Sequence, residues 1–174
     1  MLLTSALAYG ETTNPICKDN PDGMVKDYYT NGRLRARWEC RNGQLNGITR
    51  FYYESGVIQA EANYVDGKAM GINKTYYESG NIQSETNYND GKAEGISRTY
   101  YEDGNIRADA NYKDGKLGGI AREYYDSGEV KYVDTYKDGE HIDRKEYDKE
   151  GELKFDQDYS YAAGKQETVL YKNS

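Results

Sequence analysis

Residues 71–92 read GINKTYYESGNIQSETNYNDGK, and close copies of this stretch recur along most of the chain. Three series of glycines mark the period, which is 24 residues at every step except one final step of 23. The series are Gly32, Gly56, Gly80, Gly104, Gly128 and Gly151, then Gly43, Gly67, Gly91, Gly115 and Gly139, and lastly Gly23, Gly47, Gly71, Gly95 and Gly119. A fixed period of roughly 20–50 residues is the signature of a repeat architecture.

Each copy contains a pattern that is typical of β-strands. In the quoted copy, Ile82, Ser84, Thr86 and Tyr88 alternate with polar residues, and a period of two places them on one face of a strand. Neighbouring copies carry Ala at the two middle positions, so this face presents small residues between two larger ones. We call it the small-residue face.

Two turns separate the strands of one copy. Glu78–Gly80 and Asn89–Gly91 each suit a three-residue hairpin loop with glycine in the left-handed conformation. The first loop would pair Tyr76 with Ile82, and we expect it to place the apolar residues, Ile72 included, on one face. The glycines of the third series should mark β-bulges, or points where a tyrosine ring lies over bare backbone.

The predicted fold is all-β: an elongated, single-layer antiparallel β-meander of about six 24-residue hairpin repeats, with about a dozen strands. Leu, Ile, Val and Phe together supply only 25 of the 174 residues, whereas Tyr alone supplies 20. That is too little aliphatic volume for a conventional two-layer core. We therefore expect contacts between neighbouring repeats to stabilise the chain.

The two ends differ from the array at residues 23–151. Residues 1–8 (MLLTSALA) end in an A-x-A pattern and are interpreted as a signal-peptide remnant, residues 9–22 as an N-terminal leader or cap, and residues 152–174 as C-terminal capping strands. Cys40 occupies the position that Tyr64 takes one repeat later, and Cys17 lies 23 residues before it. We predict that these two cysteines form a disulfide that caps the array; two free thiols are the alternative.

The pattern YYESGxIxxExNYxDGKxxG, which covers about residues 23–160, resembles the MORN repeat, specifically the bacterial variant of the YwqK-type antitoxin proteins. This resemblance implies a sheet of hairpins used as a binding or scaffolding module. It also implies an antitoxin role, which an exported chain would fit less well.

No catalytic motif or cofactor-binding motif occurs, so we predict a non-enzymatic protein with no cofactor and no metal. The one histidine, His141, has no partner constellation in the sequence and is interpreted as incidental. Asp-Gly turns lack the spacing of calcium loops. With 23 basic against 30 acidic residues and no basic cluster, nucleic acid is excluded as a partner.

Two columns of the repeat are candidate binding residues. They are the basic column Arg50, Lys74, Arg98 and Arg122, and the aromatic column Tyr53, Tyr77, Tyr101 and Tyr125. Aligned cations and aromatic rings suit an extended peptide, a glycan or anionic lipid headgroups. The alternative is that each cation pairs with a cross-strand carboxylate such as Glu61, Glu85 or Asp109, which would make the columns structural.

The sequence thus predicts a repeat scaffold that binds another protein and is exported to the periplasm, the cell surface or the medium. The partner would be an envelope component or, for a cytoplasmic antitoxin or immunity protein, a cognate toxin. A glycan-binding or membrane-binding module is the third hypothesis. The sequence alone sets no oligomeric state.

Overall fold

A computed structural model of the protein describes residues 15–159. The predicted signal-peptide remnant, residues 9–14 of the leader and residues 160–174 of the C-terminal cap lie outside this range. The elements are one short helix and fifteen strands: α1 (Pro15–Asp19), β1 (Gly23–Tyr28), β2 (Leu34–Arg41), β3 (Gln44–Leu45), β4 (Gly47–Tyr52), β5 (Ile58–Val65), β6 (Lys68–Ala69), β7 (Gly71–Tyr76), β8 (Ile82–Asn89), β9 (Lys92–Ala93), β10 (Gly95–Tyr100), β11 (Ile106–Lys113), β12 (Lys116–Tyr124), β13 (Val130–Lys137), β14 (Glu140–Tyr147) and β15 (Leu153–Asp158).

The strands of the described residues form one open antiparallel sheet in a hairpin meander. Its order is β1-β2-β4-β5-β7-β8-β10-β11-β12-β13-β14-β15, and the two-residue strands β3, β6 and β9 pair with β2, β5 and β8. The predicted all-β antiparallel meander is therefore confirmed. The chain also divides into two compact units, whose described parts are residues 15–81 with 88–92, and residues 82–87 with 93–159.

The first turn of the repeat has the predicted three-residue loop. In the hairpin of β4 and β5, the Tyr53 amide donates to the Val57 carbonyl over 2.8 Å, and the Gly56 amide donates to the Tyr53 carbonyl over 2.9 Å. Gly56 has a φ of 93°, which is the left-handed conformation that glycine adopts without a steric penalty. The register pairs Tyr52 with Ile58, as predicted for this column.

The second turn is shorter than predicted. Val65 pairs directly with Lys68, so the loop contains only Asp66 and Gly67. Both have positive φ, 47° and 79°, which is the two-residue type I′ geometry. Asp tolerates the left-handed region because its short side chain bonds locally, so Asp-Gly favours this tight turn over a three-residue loop. The three-residue prediction for Asn89–Gly91 was wrong for the same reason, because Asp90 also has a positive φ.

Four glycines of the third series begin a strand, and the fifth, Gly119, lies within β12. Gly119 lies where the pairing of β11 with β12 shifts, between Ala110 and Tyr112. Gly47, Gly95 and Gly119 pair in register with Tyr64, Tyr112 and Tyr136, and Gly23 pairs with Cys40 at the same repeat position. The predicted bulge is present at Gly119, and a tyrosine ring over these glycines stays a prediction.

The expected single apolar face was wrong in one respect. A register shift between Phe51 and Tyr52 makes Ile48 pair with Asn63, whereas an unshifted ladder would have paired it with Ala62. A shift by one residue moves a side chain to the other face of a sheet. The isoleucine that follows the third-series glycine therefore lies on the face opposite the small-residue face, and Ile72 is 58 % exposed.

The core of the first unit lies on the small-residue face, beneath α1. Ala62, Tyr64 and Trp38 are buried there, and the Trp38 and Phe51 rings meet edge to face with centroids 5.9 Å apart. Cys17 of α1 is fully buried and joined by a disulfide to Cys40, with the Cα atoms 5.6 Å apart. The helix, which the sequence did not predict, is thus held against the sheet at the predicted cysteine pair.

The second unit departs from the repeat at Asp134, which stands where earlier repeats have Ala62 and Ala110 and is only 9 % exposed. Arg144 donates two hydrogen bonds to its carboxylate, over 2.7 and 2.9 Å, and Nε2 of His141 lies 2.8 Å from it. Desolvation by burial opposes ionisation, but the bonds and charges of Arg144 and His141 outweigh it and lower the pKa of Asp134.

His141 is accordingly part of a packed cluster. Its ring stacks on Tyr136 with centroids 4.9 Å apart, and it lies 4.5 Å from the ring of Tyr159. The interpretation of this histidine as incidental overlooked these contacts, because the residues that meet it are 5 and 18 positions away in the sequence. The cluster closes the small-residue face beside β15.

Reduction of the disulfide should loosen the N-terminal end of the array. Closing a loop of about 23 residues stabilises a fold by roughly 3 kcal/mol in the chain-entropy model. We expect the Cys17→Ser, Cys40→Ser double variant to lose about that much unfolding free energy in urea titrations, and the wild-type mass to rise by about 2 Da on reduction. An unchanged mass on reduction would contradict the pairing.

Asp134 should make stability depend on pH. Its pKa is lowered by folding, so its contribution is present above the unfolded pKa of about 3.9 and is lost as the pH falls through the lower folded value. We expect Asp134→Asn to cost about 1–3 kcal/mol at neutral pH, with the difference from wild type shrinking below about pH 4. Urea unfolding at several pH values measures this difference.

The matched control is Asp138→Asn, in an exposed turn where the first hairpin has Asn42 in the same positive-φ position. It should behave like wild type at every pH. A difference between Asp134→Asn and wild type that did not change with pH would contradict the role given to the carboxylate.

Candidate functional site

The predicted basic column lies on the face opposite the small-residue face, which we call the charged face. In the first unit Arg50 pairs in register with Glu61, and their side chains form an ion pair. In the second unit Arg122 pairs with Asp109, with Nη1 3.5 Å from the carboxylate. The structural alternative considered for this column, cross-strand pairing with carboxylates, therefore holds for these two arginines.

The other two cations of the column follow the same register. Lys74 pairs with Glu61 in the first unit, and Arg98 pairs with both Glu85 and Asp109 in the second. Basic and acidic residues therefore alternate from β4 to β7 in the first unit and from β8 to β12 in the second, but toward β1 Arg50 pairs with Arg37 and Arg37 with Lys26. Because opposite charges directly across a ladder stabilise it, the alternating parts of the row help to hold their strands in register.

Three of the four tyrosines in the predicted aromatic column tie their repeat to the next one. The hydroxyls of Tyr53, Tyr101 and Tyr125 donate to the backbone carbonyls of Tyr76, Tyr124 and Tyr147, over 2.7, 2.7 and 2.9 Å. Tyr29 makes the same bond to Tyr52 over 2.6 Å. Tyr77 begins its hairpin turn as Tyr53 does, because its backbone amide donates to the Asn81 carbonyl over 2.8 Å.

These hydroxyl bonds give the aromatic column a structural role. The rings are half-buried, and three of the cations near them are outside the predicted basic column. Arg107 lies 5.9 Å from the centroid of Tyr101, and Lys131 and Lys149 lie 5.7 and 5.4 Å from that of Tyr125. A ligand-binding role for the eight residues of the two columns stays a prediction.

The first tyrosine of each pair reaches the acidic row of the charged face. The Tyr100 hydroxyl donates to Glu85 over 2.5 Å, and the Tyr124 hydroxyl donates to Asp109 over 2.6 Å. Burial first, and then the bond to the neighbouring carboxylate, raises the pKa of both phenols. Asp109 is thus shared by Arg122 and Tyr124, so its charge is compensated and its position is fixed.

The charged face also carries a feature that the sequence reading missed. At four of the five third-series glycines the next residue is a large apolar side chain that points to solvent, and Ile48, after Gly47, is the less exposed exception. Met24 and Ile72 in the first unit are 50 % and 58 % exposed. Ile96 and Ile120 in the second unit are 53 % and 44 % exposed. We call Met24, Ile72, Ile96 and Ile120 the aliphatic column. The sequence signal that could have revealed it is the polar residue two positions after the third-series glycine, because Thr49 and Asn73 at this position are buried.

Within residues 15–159, no group of three or more His, Cys, Asp or Glu side chains is placed to hold a metal ion. A search of the same residues finds no helix with the length and apolar character needed to cross a membrane. On the charged face, exposed aliphatic side chains lie beside a row of charged residues, an arrangement that suits contacts over a sheet surface.

Comparisons with known proteins identify the type of repeat but indicate no ligand. None of the curated proteins matches this chain. Two solved structures of S. aureus TarM, one of them a mutant in complex with fondaparinux, alpha-GlcNAc-glycerol and UDP, are 11 % identical to it with TM-scores of 0.38 and 0.37. Each match covers 71 % of this chain and 22 % of the TarM chain, and such TM-scores support no conclusion.

A family model described as a MORN repeat variant matches four segments, residues 45–66, 71–90, 93–114 and 117–138. These segments contain the hairpins whose turns, tyrosine bonds and charged row are repeated along the sheet. The chain therefore contains four MORN repeats of the variant type.

Proposed function

We propose that the chain is a non-enzymatic repeat scaffold that binds another protein through its charged face. The observation that carries this proposal is the aliphatic column, in which one large apolar side chain in each of several repeats is about half exposed. Isolated exposed apolar residues are normal on a protein surface, but a regular series of them is not explained by the packing of the sheet.

The surroundings of the column fit a protein partner. Each isoleucine of the column lies on the strand that also carries a cation of the alternating charged row. Protein interfaces combine apolar anchors with a polar surround, and buried aliphatic area supplies the favourable term while charges set orientation. The four cations of the basic column each lie opposite a carboxylate, which disfavours nucleic acid and anionic lipid along that column, whereas Lys26 and Arg37 nearer β1 lie opposite other cations.

Export to an oxidising compartment is part of the proposal, and the Cys17–Cys40 disulfide supports it. Disulfides persist in secreted and periplasmic proteins and are rare in the reducing cytosol. A partner in the cell envelope follows from this location. The alternative is an antitoxin or immunity role. Identification of a cytoplasmic toxin as the partner would favour this role over export.

The test compares the full chain with a variant in which Ile72, Ile96 and Ile120 are all replaced by Ser. The exposure of these residues makes the fold tolerant, so each substitution should change unfolding free energy by no more than about 0.5 kcal/mol. Immobilised wild type and variant are exposed to separate envelope and cytoplasmic fractions of the producing cell, and captured proteins are quantified by mass spectrometry. We expect one partner from the envelope fraction whose capture falls at least about tenfold with the variant.

The matched control is Ile106→Ser, which removes an apolar side chain of 39 % exposure at the repeat position of Ile82, on the small-residue face. It should capture the partner as wild type does. Equal loss in both variants, or a partner that the triple variant retains, would overturn the assignment to the charged face.

A further inference from the structure

The small-residue face of the first unit contains a cavity of about 260 Å³ that opens to solvent near the first two hairpins. Three aromatic rings line it, those of Tyr29, Trp38 and Phe51, with Ala36 beside them. Trp38 and Phe51 form the edge-to-face pair of the core, so these two walls are held in place by packing. The Tyr29 ring is held by its hydroxyl bond to the Tyr52 carbonyl.

The aromatic walls arise where the sequence departs from its own repeat. Trp38, the one tryptophan of the chain, stands where later repeats have Ala62 and Ala110. Phe51 stands where later repeats have Thr75 and Thr99. Two departures from the repeat thus meet at one cavity, and the repeats that follow residue 66 lack both rings at the corresponding positions.

The rest of the cavity lining consists of side chains that end in planar polar groups. Asp27, Arg35 and Gln59 complete the lining. Asp27 and Arg35 form an ion pair, with side chains that are 34 % and 57 % exposed, so the pair lies toward the solvent side. Gln59 also bonds the hydroxyl of Tyr53, which orients its amide. A carboxylate, a guanidinium and an amide can each bond two adjacent hydroxyl groups.

The charges of the cavity select a neutral ligand. Asp27 and Arg35 already compensate each other, so an anion would gain little from Arg35 against the repulsion of Asp27, and a cation little from Asp27 against the repulsion of Arg35. A hydroxyl-rich neutral molecule can accept from Arg35 and donate to Asp27 without breaking the pair. A pyranose ring meets this requirement, because its faces carry C–H groups that pack on aromatic rings and its edge carries hydroxyls.

We propose that this cavity binds one ring of a neutral carbohydrate, packed between the Tyr29, Trp38 and Phe51 rings and hydrogen-bonded by Asp27, Arg35 and Gln59. Its volume lies just below the roughly 300–1,000 Å³ of pockets for drug-sized ligands, which matches a single sugar ring. The site lies on the face opposite the aliphatic column and does not depend on the proposed protein partner.

Trp38 gives a direct readout, because the chain has no other tryptophan and its indole lines the cavity. The full chain is titrated with methyl glucoside and methyl N-acetylglucosaminide while indole fluorescence is followed. The expected result is a saturable change with a dissociation constant in about the millimolar range. Glucuronate and glucosamine, the charged counterparts, should bind at least about tenfold more weakly, because each is repelled by one member of the Asp27–Arg35 pair.

Gln59→Ala should weaken sugar binding about tenfold, since it removes a hydrogen-bonding group at the cavity. Gln83→Ala, the same substitution one repeat later, should not change it, and neither should the triple serine variant of the aliphatic column. A response to N-acetyltyrosinamide without a response to either glycoside would assign the cavity to a side chain of a partner protein and overturn the proposal. No saturable response to any probe, or equal effects of the two glutamine variants, would overturn it as well.

Discussion

One hydrogen bond recurs through both units: the hydroxyl of the second tyrosine of a pair donates to a backbone carbonyl about one repeat further along the chain. The ladder bonds join strands that follow one another, but this bond ties the corner of one hairpin to the corner of the next. The ring that carries the hydroxyl is half-buried, so the same side chain supplies apolar area and a polar bond. That combination explains how a chain with 25 large aliphatic or phenylalanine residues among 174 forms an ordered sheet.

This hydrogen bond requires the hairpin turns to occupy the same position in every repeat, and the glycines fix that position. All 16 glycines of the three series have positive φ, between 72° and 110°. An L-residue with a Cβ is strained in that region, so each glycine sets a turn or a bulge at a fixed position in its repeat. The bulges in turn decide which residues face solvent, and they turn the isoleucines of the aliphatic column to the charged face.

Much of the fold followed from the period of the sequence, because a repeated unit multiplies a weak local signal. The strands, the three-residue first turn and the pairing of Cys17 with Cys40 were predicted, and cross-strand carboxylate partners for Arg50 and Arg122 were the alternative to a binding role for their column. The errors arose from one-residue differences in register, which hydrophobic patterning resolves poorly when both faces carry tyrosine. The two-residue Asp66-Gly67 turn and the aliphatic column are of this kind.

Other features could not be predicted because they depend on departures from the repeat. The cavity beside Trp38 and the cluster around Asp134 each bring together side chains from different strands or hairpins. No local sequence pattern predicts which of these side chains will be in contact. A repeat array has little internal cavity of its own, so sites of specific chemistry arise where single positions break the period. The residues that recur in every repeat explain the sheet, whereas a ligand site or a cap is expected at positions that break the period.

The central claim is that the tyrosine hydroxyl bond between repeats holds the array together. The direct test is the unfolding free energy of Tyr101→Phe, which removes one hydroxyl and keeps the ring, measured against Tyr28→Phe, whose side chain is 53 % exposed. The account predicts a loss of about 1 kcal/mol for Tyr101→Phe and a change within about 0.5 kcal/mol for Tyr28→Phe. Equal, small effects of the two substitutions would contradict it.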